Sequence, residues 1–291
     1  MNYEVVHITE YIYEGTISLC HNIARLSPRS TASQFCKKTN VRISPQPDVV
    51  NEYTDFFGNK VIYFAIQQEH KKLTVTVTSS ISKDKISVQN NYHSAISWED
   101  ARKLLKESRP DYFDARQYIP ATPMTEASAE IAEYALQSFT TDRSLFDAVY
   151  DLMERIHKDF EFKPGFTTVA TPLATVMKEK KGVCQDFALL GIACIRSLGL
   201  AARYVSGYIE TLPPPGKEKL AGTDASHAWF AVFIPQTGWV DFDPTNNQLT
   251  GDQHITIGWG RDYADIAPLK GVILSSGQHK LNVSVDVKRV D

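Results

Sequence analysis

The 291-residue sequence predicts an α+β fold: an N-terminal antiparallel β domain, a helical stretch, and a buried helix beside a β-hairpin. Three observations carry this. In KLTVTVTSSIS, Leu73, Val75 and Val77 alternate with Thr74, Thr76 and Thr78, the period of a half-buried strand. From Ser97 the apolar period becomes helical. HAWFAVFIP and GWVDFDPTNN then read as two strands joined by the turn Pro235 to Gly238. The strands precede the helices instead of alternating with them, and their outward residues are polar, so an antiparallel sheet or sandwich is expected at the N-terminus.

Within residues 1–95, NVRIS and VIYFAIQ add two strands, with FGNK before Val61 as a turn. SWEDARKLLKES opens on a Ser97 cap and sets Leu104 and Leu105 on one face. Pro110, Pro120 and Pro123 punctuate a linker, followed by a helix from about Thr125 to Ser138. A third helix, Leu145 to Lys158, brings Phe146, Val149, Tyr150, Met153 and Ile156 to core-face spacing. PLATVMKEKKG reads as a helix whose lysines complement its dipole, with Gly182 as the left-handed cap. The expected organisation is a β-rich domain over 1–95, a helical linker region over 96–138, a core over 139–250, and a C-terminal segment over 251–291 with a strand returning to a sheet.

The net charge of −3 argues against a nucleic-acid partner. No apolar run reaches the ~18–20 residues that cross a bilayer, so no membrane role is expected. MNYEVVHITEYIYEG lacks a basic start and a signal-length apolar run; a cytoplasmic protein is expected. The four cysteines, at 20, 36, 184 and 194, form no CxxC pair, which argues against both a zinc ribbon and a disulfide scaffold.

The stretch GVCQDFALLGIACIRSLGL is apolar or small from Phe187 to Ile195, as in a helix buried on all sides. Cys184 stands at its N-terminal end, where unpaired N–H groups and the helix dipole favour an anion such as a nucleophilic thiolate. By itself Cys184 also fits a small buried hydrophobe. Cys194 lies inside the apolar helix and reads as core; Cys20 and Cys36 have no catalytic context. A nucleophilic cysteine needs a base, and the base an orienting acceptor. His7, His21, His70, His93, His157, His254 and His279 lie in polar turns or strands without a partner pattern, whereas His227 opens an apolar strand. A three- or five-residue hairpin loop would set Trp229 opposite Asp243 and make His227 and Asp243 diagonal neighbours on one face. A two- or four-residue loop would separate them. Asp241 shares the parity of Asp243 but lies earlier in the strand; Asp243 stands at its edge before Pro244. Zinc ligation by Cys184, His227 and Asp243 is disfavoured because the close ligand pairing usual for zinc is absent.

Together, GVCQDFALLGIACIRSLGLAARYVSGY, SHAW and GWVDFDPTNN resemble the bacterial transglutaminase-like cysteine enzymes, whose core is papain-like. HNIARLSP, GRDYADIAPLKGV and KLNVSVDVKRV extend the likeness over nearly the whole chain. The resemblance implies a Cys184–His227–Asp243 triad acting without cofactor or metal on a peptide or side-chain amide of a peptide or protein substrate. Asp186 would anchor the site loop, and the Cys184 N–H, with Gln185, would form the oxyanion hole. Trp229 and Trp239 read as strand core aromatics or as the walls of a cleft, Tyr263 would reach it if the C-terminal segment folds back, and the loop from Glu210 to Ser226, with Pro213, Pro214 and Pro215, reads as a lid or as a solvated insertion. Leu189 replaces the family's usual histidine and Ala231 a frequent acidic residue, differences expected to bear on substrate preference. Acyl transfer to an amine, isopeptide cleavage, or a noncatalytic peptide-binding module are the other functions this fold allows. The sequence does not fix the oligomeric state.

Overall fold

In a computed structural model of the chain, the structure describes residues 1–84, 96–107, 109–211, 225–274 and 277–290. The N-terminal strands are β1 (Asn2–Ile17), β2 (Leu19–Ala24), β3 (Gln34–Ser44), β4 (Val49–Thr54), β5 (Lys60–Ile66) and β6 (His70–Lys83). In β6, Leu73, Val75 and Val77 are buried, while Thr74, Thr76 and Thr78 are half-buried on the opposite face. The middle of the chain forms α1 (Trp98–Lys106), α2 (Phe113–Arg116), α3 (Ala129–Leu136), α4 (Leu145–Asp159), β7 (Glu161–Phe162), α5 (Leu173–Glu179), β8 (Lys181–Gly182) and α6 (Cys184–Ser197). It continues into β9 (Ala202–Ile209), β10 (Ala225–Ile234), β11 (Gly238–Asp243), β12 (Gln248–Leu249), β13 (His254–Gly260), α7 (Tyr263–Ile266), β14 (Leu269–Leu274) and β15 (His279–Val290).

Serine caps start three of the helices. The hydroxyls of Ser97, Ser128 and Ser144 accept from the N–H groups of Asp100, Ile131 and Asp147, each worth about 1 kcal/mol. The second helix therefore begins later than the expected Thr125. That residue is fully buried, and its hydroxyl bonds the Thr122 N–H and the Arg196 guanidinium instead. At the end of α5 the left-handed residue is Lys180, with φ 53°, and not Gly182. Gly182 pairs in β8 and leaves room for Asp186; a Cβ there would lie 2.9 Å from the Asp186 side chain.

Two four-stranded antiparallel sheets, ordered β15-β1-β6-β3 and β14-β2-β5-β4, enclose a core containing Tyr13, Ile17, Phe64, Leu73 and Val75. Strands from residues 251–291 join three sheets. As expected of the returning strand, β15 pairs with β1 along its length, β14 pairs with β2, and β13 joins the core sheet. That core sheet runs β12-β11-β10-β9-β13. Phe230 and Phe242 on one face meet α6, and the approach is close because residue 191 is glycine: a Cβ there would sit 2.5 Å from the Phe230 ring. Helix α6 is buried from Asp186 through Arg196, as its apolar sequence predicts. Tyr3, Val5, Val285 and Val287 of the first sheet pack on Tyr208 and Ile255 of the core sheet. This contact brings the N-terminal sheet up to the beginning of α6.

Candidate active site

Cys184 is the first residue of α6 and is half-buried. Asp186, two residues on, accepts the Val183 N–H at 2.8 Å and the Thr167 hydroxyl at 2.5 Å. It fixes the entry to the helix and ties it to the segment before α5. Burial raises the pKa of this carboxyl, and those two bonds oppose the rise. Asp186 is 1 % exposed and does not line the cavity at Cys184.

The hairpin loop has three residues, Pro235, Gln236 and Thr237, between the paired Ile234 and Gly238. Gln236 and Gly238 turn the chain with φ 71° and 97°. The register Phe230–Phe242 and Ala231–Asp241, continued outward, sets Trp229 opposite Asp243. His227 Nε2 donates to Asp243 Oδ2 at 2.8 Å. With Nε2 so engaged, Nδ1 is the nitrogen left to serve Cys184, which lines the same cavity. His227 is 6 % exposed and Asp243 fully buried. Burial disfavours the imidazolium, but the bond to Asp243 and the nearby Cys184 outweigh it and raise His227 to about 10.

Sequence reasoning passed over a fourth member, His254, at the start of β13. The Gly251 N–H donates to its Nδ1 at 3.2 Å, which places the ring proton on Nε2, and Nε2 donates to Asp243 Oδ2 at 3.0 Å. Burial lowers the pKa of this ring against the pull of Asp243, consistent with a neutral donor. Asn246 also donates to Oδ2, at 2.7 Å, while Oδ1 accepts the N–H groups of Thr245 and Asn246. Although burial pushes the Asp243 carboxyl up, its histidine partners hold it well below the usual range. His254 opens an apolar strand, ITIGWG, as His227 does. That shared placement was the available signal.

Cys184 and His227 open on a cavity of about 320 Å³, walled also by Gln185, Tyr204 and Tyr263. Its opposite wall comes from the N-terminal sheet: His7, Thr9 and Tyr11 of β1, with Leu281 and Val283 of β15. His7 bonds the Thr9 hydroxyl at 2.8 Å and the Tyr208 hydroxyl at 3.1 Å, and burial lowers its pKa to about 4. It therefore presents a neutral ring to the cavity.

Trp229 does not wall this cavity. It is 1 % exposed, its ring stands edge-on to His254 at 5.3 Å, and its Nε1 donates to Asp241. Trp239 lines a different cavity. Leu189 and Ala231 are both buried core residues that do not line the cavity at Cys184. The proposed lid falls largely on residues 212–224, outside the described residues. His227, Asp243 and His254 bring ligand atoms within 4.8 Å of one another. The proton on His254 Nε2 and the donors around Asp243 disfavour a metal there.

A buried helix with cysteine at its start, packed on an antiparallel sheet carrying histidine and aspartate, is a papain-like arrangement. The chain matches the bacterial transglutaminase-like N-terminal region over residues 3–82 and the transglutaminase-like superfamily over residues 129–244. It is 38% identical over 292 residues to the uncharacterized protein Rv2569c of Mycobacterium tuberculosis, spanning 98% of this chain and 92% of that one. The chain belongs to the bacterial transglutaminase-like proteins of this superfamily. A Pseudomonas aeruginosa protein-glutamine gamma-glutamyltransferase is 26% identical over 162 residues, 54% of this chain and 23% of that protein. A crystal structure of a candidate cysteine protease from Cytophaga hutchinsonii has the same fold, with a TM-score of 0.75 and 20% identity over 100% of this chain and 91% of that one.

Proposed function

We propose that the protein is a cysteine amidase or peptidase acting on peptide or side-chain amides. The observation carrying this reading is the buried Asp243–His227 pair whose free ring nitrogen is left for a half-exposed thiol at a helix N-terminus. Cys184 Sγ attacks the carbonyl carbon as a thiolate, with His227 as imidazolium. Asp243 holds the ring orientation, and the cost of a wrong tautomer in the best-studied triad is ~10⁴ in kcat. The N–H groups of Cys184 and Gln185, in the first turn of α6, lack intrahelical acceptors and face the developing oxyanion. Each such donor is worth ~3–4 kcal/mol in the best-studied case. His227 passes its proton to the leaving amine as the C–N bond breaks. Water, deprotonated by the same ring, then resolves the thioester.

The transglutaminase-like core supports a second reading, in which an amine replaces water and a new amide forms. Incubation with peptide and isopeptide libraries, with and without a primary amine, separates them. Free carboxylate products indicate hydrolysis and amine adducts indicate transfer, and both disappear in Cys184→Ala. Cleavage persisting in that variant would end the covalent reading.

A further inference from the structure

A second cavity, of about 430 Å³, lies between the core sheet and the N-terminal domain, with its rim at Thr31 and Ala32 and its walls formed by Arg203, Trp239, Asp241 and Trp259. Arg203 on β9 and Asp241 on β11 both stand opposite Ala231 on β10. Strands lie ~4.8 Å apart, so the two backbones are roughly 10 Å apart across one small side chain. The Arg203 guanidinium is sandwiched between indoles, 3.7 Å from the Trp259 centroid and 4.2 Å from that of Trp239. With both faces covered, only its N–H edge remains to bond. Arg203 is 7 % exposed, its Nε has no hydrogen-bond partner, and no ion pair joins it to Asp241 among the described residues. Asp241 uses Oδ1 to accept the Trp229 indole N–H at 3.0 Å, and its other oxygen has no hydrogen bond among the described residues. Lys83, also in the wall, is already committed to the carbonyls of Gly251 and His254.

A buried guanidinium without an acceptor is costly, and a carboxylate satisfies it bidentately. The opposite charge facing it across Ala231 adds a seat for a cation. We propose that this cavity binds a free α-amino acid as its zwitterion, the carboxylate on Arg203 and the ammonium on Asp241, with room for the side chain beside Val240 and Leu249.

The test is thermal unfolding of the full chain carrying Cys184→Ala, so that the catalytic cleft consumes nothing. Free amino acids are compared with their N-acetyl forms, which lack the ammonium, and their methyl amides, which lack the carboxylate. At a hundredfold excess over Kd, a free amino acid of fitting size raises the midpoint on the order of 5 °C, and neither derivative does. Asp241→Asn keeps an acceptor for Trp229 and loses the shift, as does Arg203→Lys. No shift with any amino acid overturns the proposal. An equal shift with the N-acetyl form leaves only an anion site and also overturns it. An undiminished shift in Asp241→Asn places the binding elsewhere. The derivative comparison decides the matter on the intact site even if a substitution disturbs folding.

Discussion

Asp243 Oδ2 accepts from three side chains, His227, His254 and Asn246, so the His227 imidazole is oriented by a carboxylate that is itself held. Replacing His254 by Phe keeps a ring and removes one charge-assisted hydrogen bond, worth ~1.5–3 kcal/mol. Turnover should fall roughly 10–100-fold with KM little changed, measured by steady-state kinetics. The pH dependence follows from His227. With its folded pKa raised to about 10, its contribution to stability is complete below the unfolded value near 6.5 and is lost as pH rises through about 10. Turnover should fall over the same alkaline range, because the leaving amine needs the His227 proton. Asp243 has the opposite sign: its depressed pKa gives stability present above the ordinary carboxylate range and lost as acid protonates it. Unfolding midpoints between pH 2 and 11 would check both limbs. Each member of the proposed triad carries a local mark in the sequence: a helix start, a strand mouth, a strand edge before Pro244. His254 has a comparable mark, but its partner lies on a strand not adjacent to its own, and only the assembled sheet brings them together.

Among the elements, α6 against β10 governs the placement of Cys184. Gly191→Ala would force a methyl group against the rigid Phe230 ring, at a cost of roughly 1–3 kcal/mol, readable as a lower urea midpoint. Asp186→Ala removes the acceptor of the Val183 N–H and the Thr167 hydroxyl. It should cost ~0.5–2 kcal/mol and slow alkylation of Cys184 as the helix entry loosens. The elements themselves were largely readable, since caps and periodicity are local: Ser97 and Ser144 start helices where expected. The hairpin register depended on loop length, which parity narrowed and the structure settled at three residues. The left-handed residue after α5 was misplaced because Gly182 satisfies the ordinary rule, whereas here glycine serves the close approach of Asp186.

At the scale of the whole molecule, the cavity at Cys184 is two-sided. The core supplies Cys184 and His227, and the N-terminal sheet supplies Tyr11, Leu281 and Val283. Leu281→Asp would place a charge in an apolar wall that touches no catalytic group. It should raise KM for peptide substrates with kcat nearly preserved, a split that steady-state kinetics resolves. This wall was not legible in the sequence. Leu281 pairs with Tyr11 across most of the chain length, and no local pattern encodes a partner so distant.

The most direct test of the central claim is covalent labelling by a peptidyl electrophile at substoichiometric dose, followed by intact mass and peptide mapping. Cys20 and Cys194 are buried and Cys36 is half-buried on the β domain, so selectivity among the four thiols is informative. One adduct on Cys184, strongly slowed in His227→Ala and Asp243→Asn, is expected. Labelling spread to Cys36, or a rate at Cys184 indifferent to both substitutions, would contradict a triad.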